Sequence, residues 1–407
     1  MEHHYQISKG DKCMSYGGGT FTEKNKEIPG VYANFSNIDL FNSNITYGVV
    51  VLILPVCYRE EKPSSMDRVT ITKNDYRTNL VNGGFPTGES GGYTLETLSE
   101  ICLEIFQNAT TIHVVPLFIK TSYNETTKKW GYTLDSNTED SLKTFIEPLS
   151  FNTILCLSVP DDASDYGTTS SNPTVFLNVV SYFINQTTLR FQWVWGTSNN
   201  TFIGNIYTST TSTPLRKWFV LPYSKTASPY IAGLLSSLSV GRSAAGILYN
   251  GNYSNKPNLF APPTKELQIS SLNNGYFCYY TLGTMNQLRV LKDITMDHYK
   301  SEETFSSDYN DRMGQIVRIQ IYMYNFFNSI FPTQLQGKPN NAVYRSVIKG
   351  IILSELRDLE SRDVIEDVSE DHVTVTATEG QKDSVDITIQ YKPVSGIDYV
   401  YITFYVN

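Results

Sequence analysis

VVVLILPV, residues 49–56, is the stretch on which the fold turns. It is far shorter than the ~20 apolar residues a membrane-spanning helix needs. It reads instead as a β-strand buried on both faces. A polar stretch and a Gly/Pro-rich loop, 83–92, follow it and lead to Thr94, a residue suited to cap a helix. Behind Thr94, the residues Leu95, Leu98, Ile101, Cys102, Ile105 and Phe106 fall on one helical face. TIHVVPLF, residues 111–118, is β-rich again. Strand, helix and strand in this order make one unit of a parallel sheet.

The alternation continues downstream. A helix is expected at 138–148, a strand at 152–159, a loop at 160–172, and a helix opened by Pro173 running to about Asn185. Strands are expected at 189–195 and 218–222. Ser228-Pro229 opens a helix rich in small residues, with Ala232, Gly233, Gly241, Ala244, Ala245 and Gly246. The predicted class is α/β (α+β overall), with a helix-covered, mostly parallel sheet. Near Tyr249 the pattern breaks, and 250–300 reads as turns and short strands, including 275–282 and 288–291. Two long helices follow. The first, about 308–330, carries Met313, Ile316, Val317, Tyr324, Phe327 and Ile330 on its apolar face. The second, about 341–360, carries Val343, Val347, Ile348, Ile351, Leu356 and Leu359.

The C-terminal stretch alternates strictly. Val373, Val375 and Ala377 mark one strand, and Val385, Ile387, Ile389 and Tyr391 a second. After a break at 393–398, Val400, Ile402, Phe404 and Val406 alternate with Tyr399, Tyr401, Thr403 and Tyr405. A strand apolar or aromatic on both faces is an aggregation hazard unless paired. It is expected to pair, either in its own sheet or in another subunit's. Residues 1–45 contain Gly17-Gly18-Gly19 and Pro29-Gly30, have few apolar residues and no period, and read as an extended arm.

Composition excludes several classes. The net charge is −8, the pI about 5.3, and charged residues make up 18% of the chain. An acidic chain without a basic run is poorly matched to a phosphate backbone, and a disordered chain needs more charge. The cysteines Cys13, Cys57, Cys102, Cys156 and Cys278 form no CxxC or Cys/His cluster, so they read as reduced, mostly buried thiols rather than a zinc site or disulfide framework. The polar opening MEHHYQISKGDK does not read as a signal peptide. Asn-x-Ser/Thr triplets, as at Asn34, Asn108 and Asn252, then read as chance matches.

The tempting catalytic motifs are weak. Gly88-Glu-Ser90-Gly-Gly92 matches a nucleophile pattern, but it follows loop rather than strand and has no His or Asp in a second motif. No P-loop or dinucleotide fingerprint occurs. Asp161, Asp162 and Asp165 read as a solvated loop, and Trp193 with Trp195 as strand packing rather than a sugar platform. A serine hydrolase using Ser90 and a secreted or surface carbohydrate-binding protein are the rival readings.

Three segments together resemble contractile tail sheath proteins of bacteriophages and phage-tail-like particles. The first is MSYGGGTF (14–21) with IPGVY (28–32). The second is LRVLKDIT (288–295). The third and most specific is QGKPNN (336–341), the helix behind it, DVIE (363–366), DSVDI (383–387), YKPV (391–394) and VYITFYV (400–406). The resemblance implies a five-part organisation. An arm (1–45) precedes an α/β sheath domain (46–248) with a reduced insertion near 119–148. A connecting region (249–300), a C-terminal helix and acceptor-hairpin domain (301–393) and a terminal arm strand (394–407) follow. It also implies strands exchanged between subunits. The N-terminal arm would use Tyr16, Phe21 and Ile28. The C-terminal strand would use Val400, Ile402, Phe404 and Val406. The acceptor hairpin would use Val373, Val375, Val385, Ile387 and Ile389. The implied partners are the chain itself in stacked six-membered rings, an inner tail tube, and baseplate and tail terminator proteins. No cofactor, metal, catalysis, nucleic-acid contact or membrane insertion is implied. The implied setting is a virion tail assembled in the bacterial cytoplasm.

Overall fold

The computed structural model of the protein describes residues 33–35, 38–40, 47–62, 66–85, 93–126, 129–134, 138–149, 153–157, 191–196, 215–253, 256–282, 287–298 and 312–396. Ala33–Phe35 (β1) and Ile38–Leu40 (β2) form a short antiparallel ribbon. The main sheet begins with Val49–Tyr58 (β3), buried at every residue, as its composition demands. Val69–Thr72 (β4), Tyr76–Asn82 (α1), Leu95–Ile105 (α2), Thr111–Asn124 (β5), Lys129–Leu134 (β6), Thr138–Ile146 (α3), Thr153–Leu157 (β7), Gln192–Gly196 (β8), Phe219–Pro222 (β9) and Ser228–Ser237 (α4) follow. Lys265–Asn273 (α5), Tyr276–Phe277 (β10), Tyr279–Leu282 (β11) and Gln287–Val290 (β12) complete the first body. The spatial order is β10-β9-β8-β7-β3-β5-β4, with β6 on the far half of β5. The six strands from β10 to β5 are parallel, and β4 and β6 are antiparallel to β5.

Proline is rare inside sheets because it cannot donate to the ladder, yet Pro55 and Pro116 sit in the two central strands. The register explains both. The β3–β7 pairing runs from Val50 to Ile53, so Pro55 lies beyond it. On β5, pairing with β4 reaches Val114 and pairing with β6 starts at Ile119, so Pro116 falls in the gap.

One sheet face, carrying Val50, Leu52, Leu54, Ile112, Val114, Leu155, Val194 and Val220, packs on α2 and α4. The opposite face carries Val51, Ile53, Val115, Ile154, Trp193 and Phe219, all buried. Thr94 caps α2 as expected, accepting from the Thr97 N–H at 3.2 Å. Gly233 lets α4 approach the end of α2: a β-carbon there would lie 2.4 Å from the Ile105 carbonyl oxygen.

Several elements depart from the sequence reading. β5 runs past Phe118 to Asn124 and turns back as β6, so 119–134 is a hairpin continuing the main sheet. α4 stops at Ser237, and Gly241, Ala244, Ala245 and Gly246 lie beyond it. Leu238 is extended there, and Gly241 takes a left-handed φ of 79° against the Val364 side chain. Within 250–300 the structure adds a helix, α5, capped by Thr264. Residues 249–290 share the core of the first body: Tyr249, Phe260, Phe277, Tyr279, Leu288 and Val290 pack with the sheet. A buried carboxylate seals this join. Glu104 of α2 accepts from the Tyr249 hydroxyl at 2.9 Å and the Asn252 N–H at 2.7 Å, and burial raises its carboxyl above the ordinary glutamate range.

The second body is built on Gly314–Ile330 (α6) and Ala342–Ser361 (α7). Ile365–Glu366 (β13), Val373–Ala377 (β14), Val385–Ile389 (β15) and Lys392–Pro393 (β16) follow. Its core joins Ile319, Met323, Phe327 and Ile330 of α6 to Ile348, Ile352, Leu356 and Leu359 of α7. Val343 and Val347, placed on the apolar face by sequence, are instead 75% and 46% exposed. They lie three to four residues apart on the side of α7 away from α6, as does Gly350. The expected helix at 173–185 lies outside the described residues.

Candidate assembly surface

The alternating stretch folds as an antiparallel hairpin. Val373 faces Ile389, Val375 faces Ile387, and Ala377 faces Val385. The sequence-predicted acceptor residues Val373, Val375, Val385, Ile387 and Ile389 are therefore brought together. Val373 is fully buried, whereas Val375, Val385, Ile387 and Ile389 are half-buried. Val375, Ile387 and Ile389 rest against the α6–α7 core, while Thr374, Thr376 and Thr388 face out. The chain then continues the ribbon: Gln390 N–H donates to the His372 carbonyl, β16 pairs with β13, and Val394 N–H donates to the Val364 carbonyl. Among the described residues neither β14 nor β15 has a second partner strand. Each outer edge therefore presents backbone donors and acceptors open to a further strand.

The ribbon is held at both ends by side chains. At its turn, the Asn340 amide donates to the Lys382 carbonyl (3.1 Å) and the Ser384 carbonyl (2.8 Å). Arg345 fixes Asn340 by donating to its Oδ1 at 2.8 Å. The next residue, Asn341, caps α7 by accepting from the Tyr344 N–H at 2.8 Å. Gly337 supplies a left-handed turn at φ 74° between the two helices. The segment QGKPNN thus starts one helix and pins one hairpin.

At the other end, Gln315 in the first turn of α6 grips the exit of the chain. Its Nε2 donates to the Val394 carbonyl at 2.9 Å and to the Gly241 carbonyl. Its Oε1 accepts from the Gly396 N–H at 3.0 Å. One turn on, Arg318 pairs with Asp293 in a buried knot, with side chains 8% and 1% exposed. The Asp293 carboxylate also accepts from the Ala244 N–H at 2.9 Å, and Arg318 donates to the Arg242 carbonyl at 2.8 Å. Gly314 is required beside them, since a β-carbon would lie 2.3 Å from Asp293 Oδ1. Loop 241–244, the segment after β12, α6 and the root of the terminal segment therefore meet at one point.

The other sequence candidates fall elsewhere. Tyr16, Phe21 and Ile28, and Val400, Ile402, Phe404 and Val406, lie outside the described residues, as do Ser90, Asp161, Asp162 and Asp165. Trp193 and Trp195 are buried against Phe219, as strand packing predicts. Cys57, Cys102, Cys156 and Cys278 are buried and take part in no disulfide, and burial pushes the Cys102 and Cys278 thiols up to about 12. Among the described residues no group of three or more His, Cys, Asp or Glu side chains is placed to hold a metal ion. No described helix is long and apolar enough to cross a membrane. Gln315 and Arg318 were not singled out by sequence, whereas Asn340 and Asp293 lie inside the segments QGKPNN and LRVLKDIT without a role assigned to either. A polar pair before an apolar run marks Asn341 as a cap. Nothing local marks Gln315, whose partners lie 74 to 81 residues away.

The two-helix body with its ribbon coincides with a known domain model. Residues 312–407 match the phage tail sheath C-terminal domain. The last quarter of the chain is similar to that domain. Over 88–94% of its length the chain also has the fold of tail sheath proteins. It superposes on the sheath tail protein of Listeria innocua with TM-score 0.55 and 13% identity, over 88% of this chain and 94% of that one. The sheath tail protein of Desulfitobacterium hafniense gives TM-score 0.57 and 14% identity, over 92% and 99%. The helical sheath of the anti-feeding prophage in its contracted state gives 0.56 and 13%, over 94% and 100%. No curated protein sequence matches the chain. At such identity, the likeness carries the fold and the order of elements, and the domain model adds a sequence similarity over the last quarter.

Proposed function

We propose that the protein is the structural subunit of a contractile tail sheath. It assembles as a helical tube around an inner tail tube and contracts from a metastable extended lattice to drive that tube through a target envelope. The observation that carries the proposal is the two-edged ribbon in the region similar to the sheath C-terminal domain, set in a chain that follows the sheath fold over 92% of its length. An open sheet edge takes an added strand through backbone hydrogen bonds, with alternate side chains setting register. Strands lent to a neighbour make heterologous contacts, which build open helical arrays. The lent strands are the N-terminal arm (1–45), with Tyr16, Phe21 and Ile28, and the terminal segment 394–407, with Val400, Ile402, Phe404 and Val406. The acceptor is the hairpin of Val373, Val375, Val385, Ile387 and Ile389. Residues 46–248 form the sheath body with its reduced insertion near 119–148, 249–300 the connection, and 301–393 the acceptor domain. The subunits stack as rings of six, and the baseplate and tail terminator proteins bound the tube. The energy is stored at assembly and no nucleotide is consumed, so the protein is not an enzyme. The setting is the tail of a virion or phage-like particle, assembled in the host cytoplasm.

The test is expression of the chain alone, followed by sedimentation and negative-stain electron microscopy, then repetition with the cognate tube. Ribbed tubes are expected. Deleting 398–407, or Phe404→Asp, which puts a charge into the exchanged strand, should leave a folded monomer that does not polymerise. Wild-type assembly by either variant would rule out the strand exchange.

A further inference from the structure

Gln315 is 4% exposed and spends its whole side-chain amide on three backbone groups. Two of these, the Val394 carbonyl and the Gly396 N–H, lie at the start of the terminal segment 394–407. The third, the Gly241 carbonyl, belongs to the loop that leaves the α/β core. Gly396 approaches that same loop closely: a β-carbon on it would lie 3.2 Å from the Ser243 β-carbon. The loop is in turn fixed by Asp293, through the Ala244 N–H, and by Arg318, through the Arg242 carbonyl.

We infer that Gln315 is a positioning residue for assembly: it welds the root of the C-terminal segment to loop 241–244, so that the segment leaves every subunit at one fixed point and direction relative to the α/β core. A single amide bridging residues 241, 394 and 396 does this because its donor and acceptor ends are both used, so the 394–396 backbone cannot swing without breaking bonds at both. The ribbon alone supplies no such tie. Its last ladder bond, from Val394 N–H to the Val364 carbonyl, fixes the chain to the second body only. In a lattice whose subunits are linked by lent strands, the direction of departure selects which neighbour is reached.

This inference rests on the sheath reading, and the experiment separates the two. Gln315→Met keeps the volume and removes all three bonds. Gly396→Val leaves the core untouched and pushes the root away from Ser243 and from the Gln315 amide, whose Oε1 would lie 3.5 Å from the added β-carbon. In full-length monomer, amide hydrogen exchange at Gly396 should quicken roughly tenfold in Gln315→Met, the effect of losing one to two hydrogen bonds. The Val394 amide, bonded to Val364, should keep its protection and so report an intact ribbon. Both variants should form tubes at least roughly tenfold more slowly than wild type, or at a correspondingly higher threshold concentration. Unchanged exchange at Gly396 in Gln315→Met, or wild-type tube formation by both variants, overturns the inference. Failure of the wild-type chain to form tubes even with the cognate tube overturns the sheath reading instead, and the exchange measurement still decides the anchor.

Discussion

Replacing Arg318 by Met strips the guanidinium from a carboxylate that is 1% exposed. Asp293 then keeps one hydrogen bond, from the Ala244 N–H, and the Arg242 carbonyl and Gln192 Oε1 lose their donor. Breaking one side of a buried pair typically costs about 3–5 kcal/mol. The stranded carboxylate and the lost bonds to Arg242 and Gln192 together place the expected loss at about 4 kcal/mol. Urea unfolding of monomeric wild type and variant, followed by far-ultraviolet circular dichroism, measures the difference. Adding Asp293→Asn to Arg318→Met removes the stranded charge and should recover part of the loss. A loss under about 0.5 kcal/mol, the range of ordinary surface changes, refutes the account of the knot.

Gly233→Ala forces a β-carbon against the Ile105 carbonyl, and thermal melts should show a loss of about 1–3 kcal/mol from overpacking. Glu104 titrates above the ordinary glutamate range because it is buried, so its contribution is fully present at acid pH and is lost as pH rises through the raised value. Glu104→Gln should flatten that part of the stability–pH curve, measured by urea midpoints from pH 4 to 8. Asn341→Ala removes the α7 cap and should cost about 1 kcal/mol. Asn340→Ala, by contrast, should speed hydrogen exchange in the 378–385 turn while leaving α7 amides protected.

What the sequence disclosed follows from where the information is stored. The central strand was legible because all ten residues of β3 are buried on both faces, and burial leaves a compositional mark. The acceptor hairpin was legible because alternation is imposed by its one packed face. The continuation of β5 into KTSYN was hidden because those residues are polar, and their strand state comes from pairing with β6. α5 was hidden for a related reason: Leu267 and Ile269 on it are about half exposed, so it shows little apolar period. Val343 and Val347 misled in the opposite sense, since a helix can carry apolar residues on a face the subunit itself does not bury. The anchors were illegible because a buried Gln or Arg is defined by partners distant in sequence, and only the folded chain brings them together.

The strand order carries a kinetic consequence. From β3 outward, β7, β8, β9 and β10 each join the side of their predecessor, in the order in which the ribosome delivers them. Among the described strands, none on this side of β3 inserts between earlier ones, whereas on the other side β5 enters between β3 and β4, so the β7–β10 half can build its core as synthesis proceeds at roughly 5–20 residues per second. Gln315 and Asn340 precede the ribbon in the chain as well. The seat of the ribbon is therefore translated before its open edges exist, and a nascent subunit presents no acceptor ribbon to its neighbours until the surface that orients it is already in place.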